Sequence, residues 1–204
     1  KTGLRVGAHA ENDAILQVMK SAAMASGRTD ARAHLDARPA AAEAEAVSRF
    51  LLLSQAAGNA PHIFHITSRE GLEQAVQARR RGLPVTIEVL VSHLLLSDSE
   101  YERLGNQVKM NPPVRSQEHQ QALWHGLKQG WIDNIATDHA PHLPEEKMEQ
   151  NVWKAPGGVT GVETALPLML TEVNKGRLSL EHYVRLTSEN PAKIWRIYPK
   201  KGAI

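Results

Sequence analysis

The sequence predicts an α/β fold with a parallel sheet, and three observations predict it. Four times, a short apolar run of strand character is followed by a longer helical pattern, with turn residues between them. Four residues able to hold a metal or move a proton, His9, His65, Asp138 and His142, fall at or just past the ends of those runs. Parallel barrel strands gather their chemistry at such ends, on one face. Finally, 204 residues with 42% hydrophobic content suffice for one core, whereas a complete eight-unit barrel takes ~250 residues. The reading is a partial (β/α)8 TIM barrel followed by C-terminal helices, a single domain over residues 1–204.

The first strand is read at Leu4 to Ala8, and the helical pattern Ala14 to Ala25 follows it. Gly27 to Pro39 is polar and reads as a connection. Ala40 to Ala57, rich in alanine and glutamate, reads as a long helix closed by Gly58-Asn59. His62 to Ile66 is the second strand. Thr67-Ser68-Arg69-Glu70 then resembles a capping box that opens a helix from Gly71 to Arg81, and Gly82 stops it. Val85 to Leu90, β-branched and apolar, is the third strand. A long excursion follows through Leu94-Leu95-Leu96 and an extended Val108-Lys109-Met110, until Asn111-Pro112-Pro113 breaks the chain. Ser116 to Gln129 is helical and Ile132 to Thr137 is the fourth strand. A long loop, of a length that is usually functional or disordered, reaches Gly157-Gly158. Val162 to Asn174, Leu180 to Thr187 and Pro191 to Ile197 complete the chain as helices, the last with proline in its first turn.

Composition excludes several partners. A formal charge of +2, from 24 basic and 22 acidic residues, makes no electrostatic case for nucleic acid or an anionic membrane. Arg79-Arg80-Arg81 ends a helix, where the macrodipole accounts for it as a solvated face. Cysteine is absent, so histidine must supply any soft metal ligand. Lys1-Thr2-Gly3-Leu4 lacks the apolar core of a signal peptide and no apolar run reaches ~18 residues. The expectation is a soluble, cytoplasmic protein.

Of ten histidines, those at strand ends can converge. His9 follows the first strand, His65 lies near the end of the second, Asp138 ends the fourth and His142 lies just beyond. Two imidazoles and a carboxylate suit zinc or a similar divalent ion. The structural alternatives are core histidines held by hydrogen bonds and a helix N-cap aspartate. The shared register of the strand ends favours the metal. His62 starts its strand and faces elsewhere; His34, His119, His125 and His182 read as surface residues. His93, just after the third strand, stays open between pocket and core.

A series of segments then carries a family resemblance. In order they are His9-Ala10-Glu11-Asn12, Arg38-Pro39 with Glu43, His65-Ile66-Thr67-Ser68 and Lys109-Met110-Asn111-Pro112-Pro113-Val114-Arg115. Ala136-Thr137-Asp138-His139-Ala140-Pro141-His142, Glu145-Glu146-Lys147, Gly158-Val159-Thr160-Gly161-Val162-Glu163-Thr164-Ala165-Leu166-Pro167 and Glu189-Asn190-Pro191-Ala192 follow. Together they resemble the C-terminal half of cyclic amidohydrolases of the dihydroorotase, hydantoinase and allantoinase group. The Met-Asn-Pro-Pro and Thr-Asp-His-Ala-Pro-His segments are most similar to dihydroorotases. His9-Ala10-Glu11-Asn12 is more similar to hydantoinases and allantoinases, and Leu90-Val91-Ser92-His93-Leu94 departs from the family's Pro-His-His or Pro-His-Tyr pattern.

The resemblance implies four βα units corresponding to strands 5–8 of the barrel. It implies that His9 and His65 bind one metal of a two-metal centre, zinc first among candidates, and that Asp138 binds the other. Asp138 would also accept the proton of the attacking water and pass it to the departing ring nitrogen. His142 would hold the substrate carboxylate if the substrate is dihydroorotate, while Asn111 and the backbone near Gly157 and Gly158 would contact the ring amide. The implied substrate is a small cyclic amide: dihydroorotate first, as in pyrimidine biosynthesis, with allantoin, hydantoins or dihydropyrimidines as alternatives. The family's His-x-His pair and metal-bridging group have no counterpart here. The expected molecule is therefore a half-barrel, inactive or nearly so alone, that pairs with its missing N-terminal half or with another copy as a homo-oligomer. A non-catalytic scaffold relative is the other reading, against which intact His9, His65 and Asp138 argue.

Overall fold

The computed structural model describes residues 4–203; the readings made on Lys1 to Gly3 and on Ile204 lie outside them. Four strands, β1 (Arg5–Ala8), β2 (Ala60–Ile63), β3 (Thr86–Leu90) and β4 (Asn134–Ala136), form one sheet in the order β1-β2-β3-β4. Every pairing is parallel, with Ala8 beside Ile63, Ile63 beside Ile87, and Leu90 beside Ala136. Because the strands share a direction, the residues that follow them emerge at one rim of the sheet.

Local chemistry explains the helices. In α1 (Asp13–Ala25) the side chain of Asn12 caps the first turn by accepting the Ile15 N–H at 3.2 Å. α3 (Ala40–Ala57) follows Pro39 and ends at Gly58, whose φ of 66° is the left-handed geometry that a helix C-terminus favours. Its buried Ala42, Ala46, Val47 and Leu51 recur at helical spacing, and the helix packs on α4 (Arg69–Arg80), which buries Leu72, Ala75 and Val76. Between helices and sheet lies an apolar core of Ile63, Ile66, Ile87, Val89, Leu94, Leu123, Leu127 and Ile132. α7 (Gln117–Lys128) closes it on one side, while α9 (Ala165–Asn174) and α10 (Leu180–Val184) add Met169 and Tyr183.

Several sequence readings need correction. The polar connection from Gly27 to Pro39 contains a helix, α2 (Ala31–Asp36), because the Asp30 carboxylate caps it through the Ala33 N–H at 3.0 Å. After β3 the chain folds at once into α5 (Val91–Leu95) and then α6 (Glu100–Leu104), and a 3-10 turn covers Gly105–Val108. The cap of α4 is Ser68, whose hydroxyl accepts the Gly71 N–H at 3.1 Å; Thr67 is not the cap. α8 (Pro144–Lys147) interrupts the long loop, and α10 continues into a π-helical turn (Arg185–Glu189) before α11 (Asn190–Ile194). Arg79 is not a solvated helix end: it donates to the Trp131 carbonyl at 3.0 Å, to the Val85 carbonyl and to the Asp133 carboxylate.

Two strands stop earlier than their apolar patterns. β2 ends at Ile63 instead of Ile66, and β4 at Ala136 instead of Thr137. The backbone of His65, two residues beyond β2, has φ 35°, and that of Asp138, two beyond β4, has φ 46°. Left-handed backbone at a residue with a side chain ends an extended run and is sparsely populated unless the surroundings enforce it.

Candidate functional site

His9 follows β1 directly and His65 follows β2, so the register that sets Ala8 beside Ile63 brings the two imidazoles together. Nδ1 of His9 lies 3.2 Å from Nε2 of His65, and the ring centroids are 4.7 Å apart, edge to face. Nε2 of His9 is 2.8 Å from Oε2 of Glu11. An ionised carboxylate only accepts, so Nε2 of His9 carries a proton, and in the neutral imidazole the Nδ1 lone pair then faces His65. Nδ1 of His65 is buried without a hydrogen-bond partner. Burial pushes the His65 imidazole below its ordinary pKa, His9 adds to this, and Asp138 and Glu88 oppose it.

The left-handed turn at His65 has a specific support. Its backbone N–H donates to Oε1 of Glu88 at 3.3 Å, and the other Glu88 oxygen accepts from Nδ2 of Asn134 at 2.7 Å. His62, read as facing away from the site, is fully buried; it contacts Thr86 Oγ1 at 2.7 Å and stands 3.7 Å from Glu88. Asp138 is exposed and close enough to His65 to influence its charge.

The four residues expected to contact substrate gather in the loops beyond β3 and β4. Gly157 lies against Asn111, so near that a Cβ added there would sit 3.1 Å from Asn111 Nδ2. The Gly157 carbonyl accepts from Nε2 of His142 at 3.3 Å, and the Gly158 N–H donates to the Lys109 carbonyl at 2.9 Å. At Gly158, with φ 137°, a Cβ would meet that of Ala140 at 2.6 Å, so only glycine fits. His142 and Gly158, with Gln107 and Lys147, line a cavity of 260 Å³. Asn111 borders a second, of 190 Å³, with Arg38, Lys109 and Trp153.

The sequence model of the Amidohydrolase family matches residues 9–204, nearly the whole chain. The chain belongs to the amidohydrolase family. It is 41% identical over 199 residues to the L-hydantoinase of Paenarthrobacter aurescens, covering 96% of this chain and 43% of that protein. It is 40% identical over 197 residues to the dihydroorotase of Brevibacillus brevis, covering 96% of this chain and 46% of the other. Among solved structures it matches the L-hydantoinase (dihydropyrimidinase) from Arthrobacter aurescens with a TM-score of 0.95 and 40% identity, over 98% of this chain and 45% of that one. This amidohydrolase chain thus spans about half the length of the relatives it matches.

Amidohydrolases are generally metal-dependent, and the residues here fit a divalent ion in part. Two ligands ~2.05 Å from a tetrahedral metal lie about 3.3 Å apart, close to the 3.2 Å between the facing ring nitrogens. Among the described residues, however, no group of three or more His, Asp or Glu side chains is gathered closely enough to hold an ion. The pair is built; a third ligand is not brought onto it.

The amidohydrolase structure also shows residues to which sequence assigned no role. Glu11 and Arg38 back His9, and Arg38 grips both Glu11 oxygens. Burial pushes Glu11 upward, yet the bonds from His9 and Arg38 prevail and hold it at about 2. Lys147 donates to the carbonyls of Lys109, Pro156 and Gly158 at 2.9, 3.1 and 2.8 Å, pinning the loop that carries both glycines. His139 pins the same loop, since its Nδ1 accepts from the Gly161 and Val162 N–H groups at 3.0 and 3.3 Å. His34, read as surface, is 4% exposed and donates to the Met110 carbonyl at 3.0 Å. His119 is half-buried and accepts the Arg69 N–H at 3.1 Å. His93 is a core residue that donates to the Pro112 carbonyl at 3.2 Å. No helix of the described residues is long and apolar enough to cross a membrane.

Proposed function

We propose that the protein hydrolyses the C–N bond of a small cyclic amide, with His9 and His65 as ligands of a divalent metal, zinc first among candidates, and Asp138 completing a two-metal site. The observation that carries this is the meeting of His9 Nδ1 and His65 Nε2 at 3.2 Å on adjacent strand ends. A bound divalent ion would supply an activated water and a polarised ring carbonyl. Asp138, exposed at the same rim, accepts the proton of the attacking water and returns it to the departing ring nitrogen. Asn111, Gly157 and Gly158 hold the ring amide through a loop whose shape Lys147 and His139 fix.

A hydantoin or dihydropyrimidine ring stands first on this reading. Its support is the His9-Ala10-Glu11-Asn12 strand end together with the 0.95 TM-score to an L-hydantoinase. That reverses the order expected from the sequence, in which the Met-Asn-Pro-Pro and Thr-Asp-His-Ala-Pro-His segments put dihydroorotate first. Dihydroorotate is the second reading, favoured by His142 at the cavity beside Gly157 and by the 40% identical dihydroorotase. The four βα units are read as half of a (β/α)8 barrel, in keeping with the 45% of the solved neighbour that they cover. Remaining strands would supply the other metal ligands and pair with β1, which lies at an edge of the sheet.

The test is to co-express the chain with the N-terminal half of the Paenarthrobacter L-hydantoinase and assay hydantoin, dihydrouracil, allantoin and dihydroorotate. Ring opening that disappears with Asp138→Asn is expected, hydantoin or dihydrouracil being preferred. A stable, metal-loaded complex that opens none of the four would contradict the activity and favour a scaffold role.

A further inference from the structure

We propose that Glu11, clamped by Arg38, is a positioning residue that fixes the tautomer and ring orientation of His9, so that Nδ1 is the atom offered to a divalent cation. The inference rests on the reading of His9 as a ligand. The His9 side chain is 40% exposed, so packing alone does not hold its ring, whereas the Glu11 side chain beside it is 1% exposed. Glu11 accepts from Nε2 of His9 at 2.8 Å and receives Nε of Arg38 on its other oxygen at 3.1 Å. Such a fork fixes the plane of a carboxylate as well as its charge.

Arg38 is fixed in turn. Its carbonyl accepts Nη1 of Arg115 at 2.8 Å, and Nε of Arg115 reaches Thr67 Oγ1 at 2.7 Å. Glu43, 2% exposed, stands 3.6 Å from Arg115 and accepts from the Ser68 N–H at 2.7 Å and the Ser68 hydroxyl at 2.6 Å. Charge-assisted bonds therefore run from the His9 ring to the residues just past His65. One relay sets the His9 tautomer and ties together the two chain segments that carry the histidines.

The experiment uses the 204-residue chain labelled with 15N-histidine and measures the His9 tautomer by long-range 1H–15N correlation without metal. Co²⁺ affinity is then followed by visible absorption. The wild-type chain should show His9 protonated on Nε2 alone. Glu11→Leu should give mixed tautomers and a Co²⁺ affinity lower by about 10–100-fold, and Glu11→Gln, which keeps an acceptor, should lie between. If Glu11→Leu does not fold, Arg38→Met, which frees the carboxylate to rotate, should show the same loss of tautomer purity. A pure Nε2–H tautomer in folded Glu11→Leu or Arg38→Met would overturn the positioning role. Wild-type Co²⁺ affinity in His9→Ala would instead overturn the ligand reading beneath it, a separate result.

Discussion

Nδ1 of His9 stands 3.2 Å from Nε2 of His65, although the two residues are 56 positions apart in sequence. The meeting follows from parallel pairing of β1 with β2 and from the left-handed turn at His65, φ 35°, which swings that side chain out of the strand. Glu88 supports the turn by accepting its N–H. Replacing Glu88 by Leu should leave that N–H and Asn134 without an acceptor and destabilise the fold by about 2–4 kcal/mol, measured by urea unfolding. It should also widen the His9–His65 separation.

Glu43 is a more severe test of the polar frame. Its carboxylate accepts from the N–H and hydroxyl groups of both Thr67 and Ser68, and the Arg115 guanidinium lies beside it. Glu43→Ala strands several buried donors and a buried cation, so a loss of about 3–5 kcal/mol is expected. Paired replacement of Glu43 and Arg115 by apolar residues should cost less than the sum of the single changes.

Acid should weaken the fold through His34 before most carboxylates protonate. Burial pulls its folded-state pKa from 6.5 to about 4, only partly opposed by the Met110 carbonyl. Above pH 6.5 both states hold this residue neutral and its contribution is fully present. As pH falls from 6.5 toward 4 the unfolded chain takes up the proton and the folded chain does not, so stability drops by about 3 kcal/mol. His34→Gln should flatten the stability profile across that window, read from urea midpoints at successive pH values.

Lys147 offers a test of the loop. Burial lowers its pKa to about 8, and Lys109 nearby pushes the same way, yet the ammonium satisfies three carbonyls that would otherwise lose a donor. Lys147→Met should leave the core intact and raise hydrogen exchange across residues 156–160. Unchanged exchange there would mean that the loop holds its shape without the lysine.

Much of this was legible in the sequence because the pattern was local. Ala40 to Ala57 is one uninterrupted helix, as its alanine-rich spacing and the glycine after it imply. The rest depended on distant partners. No periodicity shows that His65 and Asp138 turn left-handed, so the apolar patterns run past the ends of both strands. α2 hides in a polar stretch because its stability comes from Asp30 at the cap and from His34 reaching Met110, 76 residues away. Glu11 is plain in the segment after β1, but its function depends on Arg38, which is brought to it by the α2–α3 connection. The meeting of His9 and His65 was legible because strand ends share a rim; the contacts of Glu11 and Arg38 behind His9 were not.

Every chemical role proposed for the site depends on divalent-metal binding by the His9–His65 pair. Titrating Zn²⁺ calorimetrically into the chain and into His9→Ala and His65→Ala should show stoichiometric binding in the first and at least a tenfold weaker affinity in each variant. Binding that is absent from the wild-type chain, or unchanged by either substitution, would contradict it.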